Sequence, residues 1–246
     1  MALTKVIGAG LGSLTQDQVI GGDVTVDGSS SADLTIDAAT DNAVLQLKCG
    51  TSDSGAESAF VNFIQNTTNK WQMGMDTAND FYLYNYNKSA SSMIIDSNGH
   101  ITKPHQSAFN AILDSTFTLS TNAYVDVVFG TERFDQNADY DTSNGTFTAP
   151  VTGRYLFTTS LYLFNSLDTD ASYYYMRLNT SNETVDVYFS TSTILNSDTN
   201  GWNFQVSSVQ DMDASDTAKI QLYQVGGSAQ TQVAMGHSNF TGALIC

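Results

Sequence analysis

The chain has 246 residues, with 25 acidic against 9 basic side chains, a formal charge of −16 and a pI near 4.1. Such a surface repels phosphate and anionic lipid, which argues against nucleic acid and membrane surfaces as partners. Aromatics at 11% with only 14% charged residues do not describe a disordered tail, and the supply of Thr, Val, Tyr and Phe suits half-buried strands.

Residues 1–22 are Gly-rich and weakly apolar, and read as an extended arm. The run Gly8-Ala-Gly10-Leu-Gly12 lacks the glycine a dinucleotide fingerprint needs next, because position 13 is Ser. No basic start or long apolar core of a secretion signal opens the sequence, so the chain is expected to be made and kept in a cytosol or assembled there into something larger. No apolar run is long enough to span a bilayer as a helix. Cys49 and Cys246, far apart in sequence, define no disulfide framework.

Residues 23–103 hold short alternating runs separated by Asp, Asn, Ser and Gly: 23–27, 33–37, 43–47, 59–64, 71–75, 81–84 and 93–95. Asp53-Ser-Gly55 and Ser97-Asn-Gly99 read as turns. The segment is poor in bulky apolar residues for its length, so it is expected to be completed by other copies that share one core. Lys103-Pro104 marks a boundary, since Pro donates to no ladder and holds its predecessor extended. Beyond it, residues 105–246 carry strand candidates at 123–129, 146–148, 154–157, 173–178, 184–189, 203–206, 218–223 and 239–245. No amphipathic helix is expected, and 107–114 reads at most as a turn. Eight to ten strands in this span fit a two-sheet jelly roll.

Within this half the residues follow a pattern. Phe134-Asp135, Asn137, Tyr140-Asp141, Gly145-Thr-Phe147-Thr-Ala-Pro150 and Gly153-Arg-Tyr155-Leu-Phe157 stand at fixed spacing. Ser107-Ala-Phe109-Asn-Ala111 precedes them, and Ser238-Asn-Phe240-Thr-Gly242-Ala-Leu244 closes the chain. This resembles the globular head of the first complement component, in the tumour-necrosis-factor-like superfamily. The resemblance implies a ten-stranded jelly roll that packs as a homotrimer. Where that family has Gly before the Asp of a late turn, this chain has Ser215. More loosely, Asn79-Asp-Phe-Tyr-Leu-Tyr-Asn85 and Met93-Ile-Ile-Asp96-Ser-Asn-Gly99-His-Ile101 are similar to bacteriophage tail-fibre shafts, and the opening residues to the start of phage virion proteins.

Candidate chemistry is sparse. His100, His105 and His237 have no partner at a nucleophile–base spacing, so no catalytic residue is assigned and no enzyme is expected. Asp135, Asn137, Asp139 and Asp141 alternate as the ligands of a calcium loop do, but Tyr140 and Thr146 stand where such a loop has Gly and Glu. They are weak metal candidates, equally readable as turn formers. Sequons at Asn66, Asn144, Asn182 and Asn239 are expected by chance in so Asn- and Thr-rich a chain. Tyr174 and Trp202 are candidate ligand contacts, because exposed rings beside Asn and Asp stack on a glycan or a protein. Trp202 reads equally as the plug of the core.

The expectation is thus an all-β homotrimer. A docking arm (1–22) would meet another virion protein, a β-rich shaft or small β domain (23–103) would follow, and a jelly-roll knob (105–246) would attach to a host-surface glycan or protein. The place is a phage virion surface, assembled in the host cytoplasm. The alternatives are a capsid decoration trimer and a secreted lectin-like or cytokine-like module. Three copies, at three times −16, would carry −48, so the shared core is expected to be apolar, from strands such as 155–163 and 218–223, and the assembly to gain from salt.

Overall fold

The computed structural model describes Leu45, Leu47 and residues 58–191, 199–232 and 237–246. The arm expected at 1–22 and the runs at 23–27, 33–37 and 43–47, like the turn at 53–55, lie outside the described residues, apart from Leu45 and Leu47.

Five strands come first: β1 (Ala59–Gln65), β2 (Thr68–Met75), β3 (Phe81–Asn85), β4 (Ala90–Ile95) and β5 (Ile101–Thr102). After them come β6 (Ala108–Ile112), β7 (Phe117–Leu119), β8 (Tyr124–Asp126), β9 (Thr131–Asp135), β10 (Tyr140–Asp141), β11 (Thr146–Thr148) and β12 (Gly153–Leu167). The remainder are β13 (Ala171–Thr180), β14 (Thr184–Ser190), β15 (Thr199–Met212), β16 (Thr217–Gly226), β17 (Gln230–Gln232) and β18 (Asn239–Leu244). The runs expected as strands at 59–64, 71–75, 81–84 and 93–95 fall in β1 to β4.

The first five strands form an antiparallel meander in sequence order. Its turns are built from side chains: Asp76 Oδ1 accepts the N–H of Ala78 and Asp80, and Asp96 Oδ1 accepts those of Asn98 and His100. Gly99, at φ 87°, supplies the left-handed residue of the 97–99 turn.

The later strands make two facing sheets and a small β17-β7 pair. One sheet runs β15-β12-β18-β6-β9, and the other β10-β11-β16-β13-β14 with β8 on β16. Apart from β10-β11 and β13-β14 their neighbours are not consecutive in sequence, so the connections cross between sheets as in a jelly roll. The core between them is aromatic. Phe109 of one sheet stacks on Phe147 of the other at 5.1 Å and on Tyr140 at 4.7 Å, and Phe147 meets Phe157 at 5.4 Å. Tyr155 and Phe157 point inward on one face, and both are fully buried. The stretch 107–114, expected at most to turn, instead supplies strand β6, because Phe109, Ala111 and Leu113 alternate into this core. Gly242 on β18 is where a Cβ would collide with the rings of Phe109 and Phe157, so the residue next to this stack must be the smallest one.

The expectation that 155–163 and 218–223 lend their apolar residues to other copies fails in one respect. Leu161 and Leu163, like Ala218, Ile220 and Leu222, are buried in the chain's own core. What β12 turns outward is Leu156, Thr158, Ser160 and Tyr162.

Ser215, the serine where the resemblance led to expect glycine, lies at φ 78° in the turn closed by the Asp216 N–H donating to the Asp213 carbonyl. An exposed L-residue there carries left-handed strain that glycine does not. Ser215→Gly should raise stability by roughly 0.5–1 kcal/mol, the relief of strain minus glycine's larger unfolded-chain entropy. A thermal melt rising by about 2 °C is the expected readout, and an unchanged or lower midpoint contradicts the strain.

Candidate functional site: a tyrosine face on the second sheet

Strands β14, β13, β16 and β8 set their outward side chains in register. Inward positions are fixed by Tyr174, Met176 and Leu178 on β13 and by Ala218, Ile220 and Leu222 on β16. Alternation then sends Tyr173, Tyr175 and Arg177 out together, and the register shift before Tyr173 is what lets Ala171 turn inward. Across the ladder Tyr175 faces Tyr188 on one side and Tyr223 on the other, and Tyr223 faces Tyr124.

The result is a face of five tyrosines. The rings of Tyr175 and Tyr188 lie 5.5 Å apart, Tyr175 and Tyr223 6.1 Å, Tyr124 and Tyr223 4.7 Å, and Tyr173 and Tyr175 6.3 Å. Tyr188 is 64% exposed, and Tyr124 and Tyr173 are also exposed. Arg177 sits beside them. Its guanidinium donates two bonds of 2.7 Å to Asp186 and lies 4.4 Å from the Tyr124 ring centre. The bonds to Asp186 hold the Arg177 pKa above its ordinary value, so it stays a fixed cation. Burial raises the Tyr124 phenol, against the pull of Arg177, so it remains an O–H donor. One strand over, Asp126 accepts from Lys219 Nζ at 2.7 Å and Gln221 Nε2 at 2.6 Å. Charges here are paired, leaving a near-neutral patch of flat rings and oriented polar tips on an otherwise acidic chain. Such a patch stacks against sugar rings or apolar protein side chains and orients them by hydrogen bonds.

The contact residues named from sequence sit elsewhere. Tyr174 is fully buried, stacked on Phe189 at 5.5 Å, with its hydroxyl accepting the Asp168 N–H at 2.8 Å. It belongs to the core, and the outward rings are its neighbours. Trp202 is half-buried within β15 rather than in a loop, its ring 4.5 Å from Phe189, and it packs against the core. Gly201 beside it, which read as part of a loop, is in the strand, where the Tyr162 ring occupies the space a Cβ would take. Tyr188, Tyr223, Tyr124 and Arg177 were not singled out from sequence, because only the strand order brings them together.

The calcium-like run is spread among backbone contacts. Asp135 accepts the N–H of Tyr140 at 2.8 Å, and Asn137 donates to the His105 carbonyl at 3.0 Å. Asp141 accepts from the hydroxyl and N–H of Ser143 and from Asn144, bonds that hold its carboxyl below the usual range. Asp139 accepts the Thr148 N–H at its carbonyl, while one carboxylate oxygen is buried without a partner. Among the described residues no three His, Cys, Asp or Glu side chains gather into a metal site.

The site is thus an exposed aromatic face on one sheet of a two-sheet jelly-roll sandwich. The family described as C1q domain matches residues 108–245, more than half of the chain, and the chain belongs to that family. Among solved structures it is similar to the globular domain of zebrafish complement 1qA protein (20% identity, TM-score 0.42), covering 58% of this chain and 98% of that one. It is also similar to Eiger TNF from S. frugiperda (13%, TM-score 0.42, 58% and 94%) and to the PRD1 vertex protein P5 (17%, TM-score 0.40, 57% and 98%). No curated protein matches the chain.

Burial pushes the Asp126 carboxyl up, but the bonds from Lys219 and Gln221 outweigh it and leave the pKa below the ordinary carboxylate value. A carboxylate lowered in the folded state contributes stability that is complete above its unfolded pKa, about 3.9, and is lost as pH falls through the folded value. The hold of β8 on β16 should therefore be constant from pH 7 to about 5 and weaken below about 4. Amide exchange at 124–126, corrected for its intrinsic pH dependence, should show that acid-induced loosening. In Asp126→Asn it should be weaker, and equal loosening in both proteins contradicts the assignment.

Proposed function

We propose that the protein is a trimeric, non-enzymatic attachment protein of a phage virion, of tail-fibre or spike type, contacting a host-surface glycan or protein through the tyrosine face. The observation that carries self-association is the other side of the sandwich. On the outward face of β15-β12-β18-β6-β9, one row reads Val209, Leu156, Ala243 and Ala108. The next reads Ser207, Thr158, Thr241, Asn110 and Phe134, and a third reads Gln205, Ser160, Asn239 and Ile112. These rows hold no charge; the nearest charges are Arg154 facing Asp211, beyond them, and Glu132 and Arg133 on the edge strand β9, at the bulge between Thr131 and Phe134. In a chain of formal charge −16, copies approach at least cost where neither presents a carboxylate. Small and hydroxyl side chains also let two backbones come close. The sandwich thus has one neutral face for its own copies and one aromatic face for something else.

The non-enzymatic reading rests on membership of a family of binding domains. The virion assignment rests on the shaft-like phrases between Asn79 and Ile101 and on the arm-like opening, which would dock to another virion protein. Three tyrosine faces on one axis would turn weak single contacts into avidity.

Full-length protein should sediment as a trimer at micromolar concentration, and Leu156→Glu, which brings three like charges onto the shared face, should give folded monomers. A monomeric parent, or an unaffected trimer in the variant, overturns the assembly. Labelled antibody should decorate the tails of intact particles. Labelling of the shell identifies the decoration trimer instead, and no labelling together with export of the native product identifies the secreted module. Tyr188→Ala combined with Tyr173→Ala should lower adsorption of the protein to host cells at least ten-fold with the trimer intact. Unchanged adsorption removes the tyrosine face as the contact.

A further inference from the structure

The meander β1–β5 is two-faced. Its register aligns Ala59, Met75, Phe81, Ile95 and Ile101 in one row across all five strands, and Val61, Met73, Leu83 and Met93 in the next. Phe63 and Trp71 begin a third. The third row runs on through Asn85 to Ala90, so twelve side chains on this face are apolar and Asn85 is the polar one among them. The opposite face is mixed: Phe60, Ile64 and Ile94 stand beside a polar ladder in which Tyr82 donates to Gln72 at 2.8 Å and Gln72 donates to Asn62 at 3.0 Å. The charged residues of this sheet and its turns, Lys70, Asp76, Asp80, Lys88 and Asp96, all lie off the apolar face.

Nothing among the described residues covers it. No residue of β1–β5 is buried, Ile101 is 61% exposed, and Phe63, Trp71, Met75 and Phe81 are exposed too. Five strands about 4.8 Å apart and some six residues long make a face of roughly 500 Å². That is at the upper end of what a monomer leaves open, and less than the roughly 800 Å² per partner of a stable interface.

The face is not isolated. A groove of about 670 Å³ is lined by Ile101, from the end of its longest row, by Pro104, and by Ala108 and Ala243 from the charge-free row of the sandwich, with Leu244 beside them. The two surfaces that can meet another acidic chain without repulsion are therefore contiguous, and the sandwich face adds to the area that the meander lacks alone.

We propose that the apolar face of β1–β5 packs against the same face of the other copies, so that one interface runs from residue 59 through the 101–108 groove into the sandwich. This rests on the trimeric reading above and extends it to a segment outside the residues the family match covers. The occupant is a second copy rather than a foreign partner. The face offers no donor, acceptor or charge in its two full rows by which to select one, and it adjoins the surface already assigned to self-association.

The test places a single cysteine on each face of the full-length chain, with Cys49 and Cys246 changed to Ser. Leu83→Cys lies at the centre of the apolar face and Gln72→Cys on the polar one. A bis-maleimide long enough to bridge the ~10 Å between packed sheets should link copies at Leu83→Cys at least ten-fold more than at Gln72→Cys, with both proteins trimeric by sedimentation. A trimer in which the two positions link equally, or not at all, overturns this inference and leaves the sandwich trimer standing. A trimer whose Leu83→Cys thiol is shielded from a monofunctional maleimide, yet links nothing, also overturns it and assigns the cover to residues 1–57 of the same chain. A monomer overturns the trimeric reading itself.

Discussion

Apolar surface is divided unequally along this chain, and the rest of the structure depends on that division. All the buried apolar side chains of the described residues lie between Phe109 and Phe240, in the sandwich. The sheet before it buries none. A sandwich closed around stacked rings such as Phe109, Phe147 and Phe157 satisfies its own hydrophobic demand. A single-layer sheet has two faces and no layer to set against either, so burial must come from outside it.

Charge decides where that outside contact can be. With 25 acidic and 9 basic residues, most of the exterior repels a second copy, and at physiological salt the repulsion reaches about 8 Å before it is screened. Carboxylates are kept to turns, edges and paired positions: Asp76 and Asp96 in the meander, Asp141 at the end of β10, and Asp126 and Asp186 beside their cations. The same residues that make the turns thereby clear the broad sheet faces. The demand for tight turns and the demand for a neutral interface are met by one placement of Asp.

Much of the fold could be read from residues, and the phase of the strands was the part most easily missed. The runs at 59–64, 71–75, 81–84 and 93–95 alternate strongly enough to name the meander, and Tyr140 through Phe157 carry spacing enough to name the sandwich. At 173–178 alternation alone left open which tyrosine turns outward. Arg177 held the answer, since a guanidinium goes to solvent and Tyr175 and Tyr173 go with it, leaving Tyr174 inside. Trp202 misled for a related reason. Asn200 and Gly201 read as a loop, but Gly201 is there to clear the Tyr162 ring, and β15 begins before it. The tyrosine face itself draws on strands separated by up to about a hundred residues, and no local pattern encodes that β8 lies beside β16 and β16 beside β13.

The two faces of the sandwich differ in what they ask of a partner. The middle rows of the β12 sheet present methyls, hydroxyls and amides, with charge kept to Arg154, Asp211 and the edge strand β9, which fits close approach of an identical backbone and selects little else. The β13 sheet presents rings that pack on one another, with the Asp186-bound Arg177 guanidinium against the Tyr124 ring, so the surface is partly ordered before anything binds. Ordering rotamer-rich side chains ahead of contact lowers the entropy lost on binding. A surface that must recognise a foreign molecule weakly, and in several copies at once, gains most from that, because the saving recurs at every copy. The meander extends the first kind of surface and adds nothing to the second. On the proposed reading, self-association lengthens along the chain while recognition stays confined to one sheet of the sandwich.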